Sequence, residues 1–193
     1  MEKKTRFIAG VGILGAMVVV LQTLATFIQF GPFAITLVLV PIVIGAAMYG
    51  VKAGAALGGL FGLVVLAMTI SGADPGAFML WSANPVATLV VIMLRGILAG
   101  ASAGAVYRLF EKKNRLGAVV AAAMVSPMVN TGLFLLAMYF IFPSFLDMWA
   151  AGATTMYFLF IGLAGVNFII EMVINMTLSP MIVRVIDATK IRK

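Results

Sequence analysis

Long apolar segments alternate with short polar stretches along the whole chain, and residues 81–115 show this pattern most clearly. This stretch opens at Asn84-Pro85, continues as an apolar run interrupted by one charge, Arg95, and closes on a basic cluster. The cluster contains Arg108, Lys112, Lys113 and Arg115. An apolar helix of about 20 residues is long enough to cross the roughly 30 Å hydrocarbon core of a bilayer. The stretch is therefore predicted to be a transmembrane helix.

The same pattern predicts five further transmembrane helices. They cover residues 7–26, 35–49, 53–70, 117–142 and 155–182. Apart from Arg95, the basic residues lie in the N-terminal tail, in the loops after the second and fourth helices, and in the C-terminal tail. Lys and Arg are retained on the cytoplasmic side of a membrane. The predicted fold class is an all-α integral membrane protein with six transmembrane helices and cytoplasmic N and C termini, formed by one domain over residues 1–193.

The composition agrees with a membrane protein and argues against several kinds of activity. Of the 193 residues, 64% are hydrophobic and 10% are charged, and the mean hydropathy is +1.19. Such a chain has too little polar surface to form a soluble globule. Because Cys and His are absent, a hydrolase or a metalloenzyme is not expected. The net charge of +7 comes mostly from residues at helix ends and in short loops, where membrane topology explains it, so a nucleic-acid partner is not expected. No cofactor is expected either.

Small residues recur every four positions in three of the predicted helices. They are Gly54, Gly58 and Gly62 in the third helix, Gly96, Gly100 and Gly104 in the fourth, and Gly12 and Ala16 in the first. Residues four apart share a helix face, and small side chains on that face let another helix approach closely. These faces are therefore predicted to be helix–helix contacts.

Polar side chains within the predicted helices are the candidate functional residues, because an ionised group at mid-membrane costs roughly 3 kcal/mol or more and needs a partner. The substrate-binding candidates are Arg95, Asn130, Asn167, Glu171 and Asn175, with Trp81 and Asn84 nearer the outer surface. The residues at positions 167, 171 and 175 form one slanted polar face of a helix. We predict that the fourth to sixth helices form a polar pocket reached from outside, with Arg95 and Glu171 paired at its floor.

Three other interpretations are open at this stage. Arg95 and Glu171 could form a structural bridge, while the asparagines hydrogen-bond between helices. A stand-alone secondary transporter or channel would favour inverted repeats and broken helices, whereas the two halves of this chain share only their glycine spacing. A membrane enzyme would need a nucleophile with a base, or several carboxylates together, which a single intramembrane Glu does not supply.

Four segments of the chain resemble the S component, the substrate-binding subunit, of an energy-coupling factor (ECF) vitamin transporter. They are Val40–Val65, Ala83–Leu109, Ser126–Leu136 and Gly165–Ile182. The resemblance implies a subunit of the bacterial plasma membrane that binds a vitamin from outside, with its fourth to sixth helices and outer loops. It also implies three partner subunits, namely a transmembrane coupling subunit and two cytoplasmic ATPases, since S components bind no nucleotide themselves.

The resemblance further implies a docking motif and a substrate. The first helix of such subunits docks on the coupling subunit through an Ala-x-x-x-Ala motif, which Gly12 and Ala16 match here. One buried Arg and several amide side chains suit a small acid with amide and hydroxyl groups. Because the chain also resembles pantothenate S components, pantothenate is the expected vitamin, and riboflavin or another vitamin is the alternative.

Overall fold

The structure, a computed structural model, describes residues 2–25, 29–30, 33–34, 38–150, 154, 157–158, 161 and 165–190. Its helices are α1 (Glu2–Ala25), α2 (Leu39–Tyr49), α3 (Val51–Ile70), α4 (Pro75–Ala83), α5 (Pro85–Phe110), α6 (Arg115–Phe140), α7 (Pro143–Ala150) and α8 (Gly165–Lys190). Two short strands, β1 (Gln29–Phe30) and β2 (Phe33–Ala34), pair antiparallel with Phe30 opposite Phe33. The described part of the chain is therefore almost entirely helical.

Five helices are long and apolar enough to cross a membrane. They contain the segments Phe7–Ala25, Val51–Ile70, Pro85–Phe110, Arg115–Phe140 and Phe168–Ala188. The prediction of an all-helical membrane protein is confirmed for these five spans. The span predicted at residues 35–49 corresponds to α2, whose 11 residues extend only about 16 Å at 1.5 Å per residue. Residues 35–37, and most of residues 155–164 at the start of the last predicted span, lie outside the described part.

Two short helices lie between predicted transmembrane helices, in segments for which no helix was expected. α4 begins after Asp74, whose Oδ1 accepts a hydrogen bond from the backbone N–H of Ala77 at 3.0 Å. Pro75 occupies the first turn of this helix. An Asp-Pro step favours a helix start, because the carboxylate satisfies a free N–H group and proline is preorganised for the first turn. α7 likewise begins at a proline, Pro143. The sequence pattern predicts outer loops at residues 71–84 and 143–154, and the structure instead forms a short helix in each.

α3 and α5 approach each other so closely that their backbones touch. A Cβ atom on Gly58 would collide with the carbonyl oxygen of Gly96, and one on Gly100 would collide with that of Gly54. The helix–helix contact predicted from the glycine spacing is confirmed for these two helices. Because Arg95 directly precedes Gly96, this contact also fixes the position of Arg95 on α5.

Two groups of buried apolar side chains hold the helices together. The larger group joins α1, α2, α3, α5, α6 and α8, and its fully buried members include Phe61 and Tyr107. The smaller group lies where α4, α6 and α7 meet and consists of Leu80, Met138, Phe142 and Leu146. Acyl chains are as apolar as these side chains, so the gain from their packing comes from close van der Waals contact.

An ion pair joins the start of α6 to the end of α8. Nη1 of Arg115 donates a hydrogen bond to Oδ1 of Asp187. The two side chains are 30% and 45% exposed, so the pair contributes little to stability, about 0–1 kcal/mol. Its position is more informative. Since α6 and α8 also pack against each other, the pair shows that they run antiparallel and indicates which of their residues share the same depth.

Gly58→Ala should destabilise the protein by about 1–3 kcal/mol, because the added Cβ meets the backbone of α5 and the two helices must separate. Gly132→Ala on α6 is the matched control, since its Cβ would meet no neighbouring described atom within 4 Å. Alanine is the better helix former, so the control should be unchanged or gain up to about 1 kcal/mol. Thermal unfolding in detergent measures both variants. Equal stability of the two would contradict the backbone contact.

Candidate functional site

A cavity opens between α4, α5 and α6. Its empty space is about 400 Å³, a volume that includes the part open to solvent at its mouth. Three of its lining residues are charged or carry a hydroxyl group, namely Asp74, Thr88 and Arg95. The apolar lining consists of Ala77, Leu80, Val91, Ile92, Phe134, Ala137, Met138 and Phe142. An apolar wall with a few polar groups is the usual makeup of a ligand site.

Arg95 is the predicted site residue that lines this cavity. Its Nε is buried and has no hydrogen-bond partner among the residues that the structure describes. Its Cζ lies 5.4 Å from the centre of the Phe134 ring, a cation–π contact. Asp74 and Glu171 both attract its charge. No ion pair within 4.0 Å joins Arg95 to either of them in the described part of the chain, so the direct Arg95–Glu171 pair expected from the sequence is a longer-range attraction.

Asp74 lines the same cavity from the start of α4. Burial raises the pKa of its carboxyl above the ordinary value of 3.8. The backbone N–H of Ala77, the charge of Arg95 and the N–H of Gly76 oppose this rise in pKa. The cavity wall therefore contains one acidic and one basic side chain. Sequence reasoning did not place Asp74 in the site, although the Asp74-Pro75 helix start could have located it.

Two further predicted residues lie on α4 and at its junction with α5, outside the cavity lining. Trp81 is half-buried on α4. Asn84 is exposed, and its Oδ1 accepts a hydrogen bond from the backbone N–H of Ala87 at 3.0 Å. This bond caps α5, because it satisfies one of the N–H groups left free at a helix start. Asn84 thus has a structural role, and its part in binding stays a prediction.

The remaining predicted residues belong to α6 and α8. Asn130, Glu171 and Asn175 are only 4%, 4% and 1% exposed. Asn130 lies roughly four turns from Arg115, and the two α8 residues lie roughly three to four turns from Asp187. The Arg115–Asp187 pair therefore indicates a similar depth for all three. Asn167 belongs to the same helix, but its side chain lies outside what the structure describes.

Several buried polar groups on α6 and α8 have spare hydrogen-bonding capacity. Nδ2 of Asn175 donates to the backbone carbonyl of Glu171 at 2.8 Å. The Oδ1 atoms of Asn130 and Asn175, and the Oγ of Ser126, have no hydrogen-bond partner within the described ranges. A buried polar atom left without a partner costs about 1–3 kcal/mol. None of these three residues is among those that line the cavity.

Apolar helices around a small cavity with an arginine in its wall are the arrangement expected of a membrane protein that binds a small molecule. Residues 6–183 match the family described as ECF transporter, substrate-specific component. Because the match covers nearly the whole chain, the protein belongs to this family. Members are substrate-binding subunits of membrane transporters rather than enzymes, and they work with the other subunits of an ECF module. No curated protein matches the chain.

Asp74→Asn should raise the thermal stability of the protein at neutral pH. Asn caps a helix about as well as Asp, so α4 keeps its start. The raised pKa means that the folded state binds the proton more tightly than the unfolded state. The ionised carboxylate therefore lowers the stability of the folded state at pH values above the raised pKa. This loss of stability disappears as the pH falls through the raised pKa towards 3.8.

Thermal unfolding in detergent, measured from neutral pH down to the ordinary pKa of 3.8, checks the Asp74 prediction. The advantage of Asp74→Asn in Tm should shrink steadily as the pH is lowered. Asp147→Asn, at an exposed acid on α7, is the control for removal of a carboxylate outside the cavity. A wild-type protein more stable than Asp74→Asn at neutral pH would contradict the prediction.

Proposed function

We propose that this protein is the substrate-binding subunit of an ECF-type ABC importer and captures a water-soluble vitamin that carries a carboxylate. The observation that carries the proposal is the position of Arg95, a cation in the cavity wall. Its buried Nε has no hydrogen-bond partner among the described residues. A guanidinium binds a carboxylate through two parallel hydrogen bonds. The apolar wall strengthens such bonds, because the local dielectric constant is low.

In this proposal the cavity opens at the outer surface of the bacterial plasma membrane. Lys52 lies at the start of α3, Arg108 at the end of α5 and Arg115 at the start of α6. The cavity is lined by residues towards the opposite ends of α5 and α6, and by Asp74, which follows the opposite end of α3. Since Lys and Arg are retained in the cytoplasm, the basic ends face inwards. Both termini are then cytoplasmic, and α2 is the second of six membrane segments.

Arg95 would bind the carboxylate of the vitamin, while amide and aromatic side chains would bind its remaining groups. The other members of the proposed site are Trp81, Asn84, Asn130, Asn167, Glu171 and Asn175. The free Oδ1 atoms of Asn130 and Asn175 support this assignment, because a ligand can satisfy them. Pantothenate is the first candidate, since it combines a carboxylate with an amide and hydroxyl groups. Riboflavin or another vitamin is the alternative.

Mass spectrometry of small molecules that co-purify with the detergent-solubilised protein tests this proposal. A stoichiometric vitamin with a carboxylate group would support it and identify the substrate. An empty protein that also binds none of a vitamin panel in calorimetry would contradict it. That result would favour a stand-alone secondary transporter or channel instead.

Transport would also require the partners of an ECF module, a transmembrane coupling subunit and two cytoplasmic ATPases. We place the contact with the coupling subunit at Gly12 and Ala16, which are both exposed on α1. A Cβ on Gly12 would meet no neighbouring described atom within 4 Å, so this face is open to another helix. Ile8 and Ile13 beside it are 67% and 65% exposed, which gives the face an apolar surface.

Arg95→Gln should weaken pantothenate binding by about 10- to 100-fold, the scale expected for a lost charge-assisted hydrogen bond. Asn130→Ala should also weaken binding, by about tenfold, because it removes a buried acceptor. Arg184→Gln is the control, since Arg184 is exposed towards the far end of α8. Isothermal titration calorimetry on folded, monodisperse protein measures all three. Wild-type affinity in both site variants would remove these residues from the site.

Gly12→Leu should block uptake of the vitamin by cells while leaving its affinity for the isolated protein unchanged. The added side chain would fill the space in which a helix of the coupling subunit packs. Ile13→Leu, which keeps side-chain volume on the same helix, is the control. Uptake of labelled pantothenate and calorimetry provide the two measurements. A parallel loss of binding and uptake in Gly12→Leu would contradict a docking role.

A further inference from the structure

The cavity contains two charged side chains of opposite sign on different helices. Asp74 lies at the start of α4 and Arg95 lies within α5, and the other lining residues are uncharged. The two attract each other, yet no ion pair within 4.0 Å joins them among the described residues. The cavity therefore holds an anionic and a cationic side chain that do not use up each other's hydrogen-bonding capacity.

The cap of α4 does not account for an acid at this position. One carboxylate oxygen, Oδ1, accepts the N–H of Ala77 at 3.0 Å. A carboxylate offers about four acceptor positions, so capacity remains for a second donor. Asn or Ser would cap the helix as well as Asp does. The charge of Asp74 is thus not needed for the fold, and it lies in the wall of the cavity.

We propose that Asp74 is a specificity-determining residue. While Arg95 binds the carboxylate of a ligand, the carboxylate of Asp74 accepts a hydrogen bond from a donor group elsewhere on that ligand. This inference rests on the proposed function and narrows its substrate class. The class consists of small acids that also carry a hydroxyl or ammonium group on the side of the molecule away from the acid. Pantothenate, with its hydroxyl groups, meets this requirement, and so does an amino acid.

Asp74 also disfavours ligands that lack a donor group, because such ligands would separate its carboxylate from water. A ligand with only a carboxylate would satisfy Arg95 but leave Asp74 buried beside a molecule that offers it no donor. Such a ligand would displace water from the carboxylate and leave it only its hydrogen bonds at the start of α4, which is unfavourable for a charged group, so the ligand should bind more weakly. Selection therefore uses a favourable contact for the right ligand and an unfavourable one for the wrong ligand.

Calorimetry with three named acids tests the inference. Pantothenate carries hydroxyl donors, β-alanine carries an ammonium group, and propionate is β-alanine without its amine. Wild-type protein should bind pantothenate and β-alanine more tightly than propionate. In Asp74→Asn this preference should fall by about tenfold or more, as expected when a hydrogen bond to a charged group is lost. The preference over propionate should fall more for β-alanine than for pantothenate. The Asn side-chain oxygen still accepts a hydrogen bond from a hydroxyl group of pantothenate, but it has no charge to attract the ammonium group of β-alanine.

Two controls make the outcome specific to Asp74. Asp147→Asn removes an exposed acid outside the cavity and should keep the wild-type preference. The Tm of Asp74→Asn, measured on the same sample, reports whether the variant is folded. Wild-type preference in folded Asp74→Asn would overturn the role of Asp74, as would an equal loss for all three acids. If the wild-type protein binds none of the three, the acid-binding role of Arg95 fails, and the assignment of Asp74 fails with it.

Discussion

The backbone contact between α3 and α5 is the constraint on which the rest of the structure depends. Inside a membrane, helices gain little from hiding apolar surface from lipid, so close packing has to hold them together. Gly58 and Gly96 permit that packing, because neither carries a side chain at the contact. The same contact fixes the rotation of α5 about its axis. A charge at position 95 is therefore held at one place in the bundle.

The fixed charge explains why a cavity exists at this point. A guanidinium within a membrane helix is costly unless it has a polar or water-accessible environment. Phe134 lies under one face of Arg95, and Asp74 and Glu171 supply attraction from a distance. None of these contacts fills the hydrogen-bonding capacity of Nε. Arg95 therefore keeps hydrogen-bonding capacity at Nε, and this capacity is the basis of the proposed site.

The long spans and the α3–α5 contact could be predicted from the sequence, because hydropathy and four-residue glycine spacing follow directly from helix geometry. Membership of the ECF family was predicted as well, and Arg95, one of the predicted site residues, lines the cavity. The short helices were not, since nine and eight residues are too few to show a clear periodic pattern. Asp74 was overlooked as a consequence, because its place in the cavity depends on α4. Asn84 shows the opposite case, a candidate site residue whose visible role is capping.

The shortness of α2 has a consequence for the surrounding lipid. Seven of its 11 residues are buried, so acyl chains contact the neighbouring helices more than α2 itself. A lipid-facing helix of about 16 Å would force the bilayer to thin, with a penalty for each ångström of mismatch. An enclosed helix imposes no such deformation. The hydrophobic thickness of the membrane that suits the protein is therefore determined by the helices that surround α2. The length of α2 can change without altering that thickness.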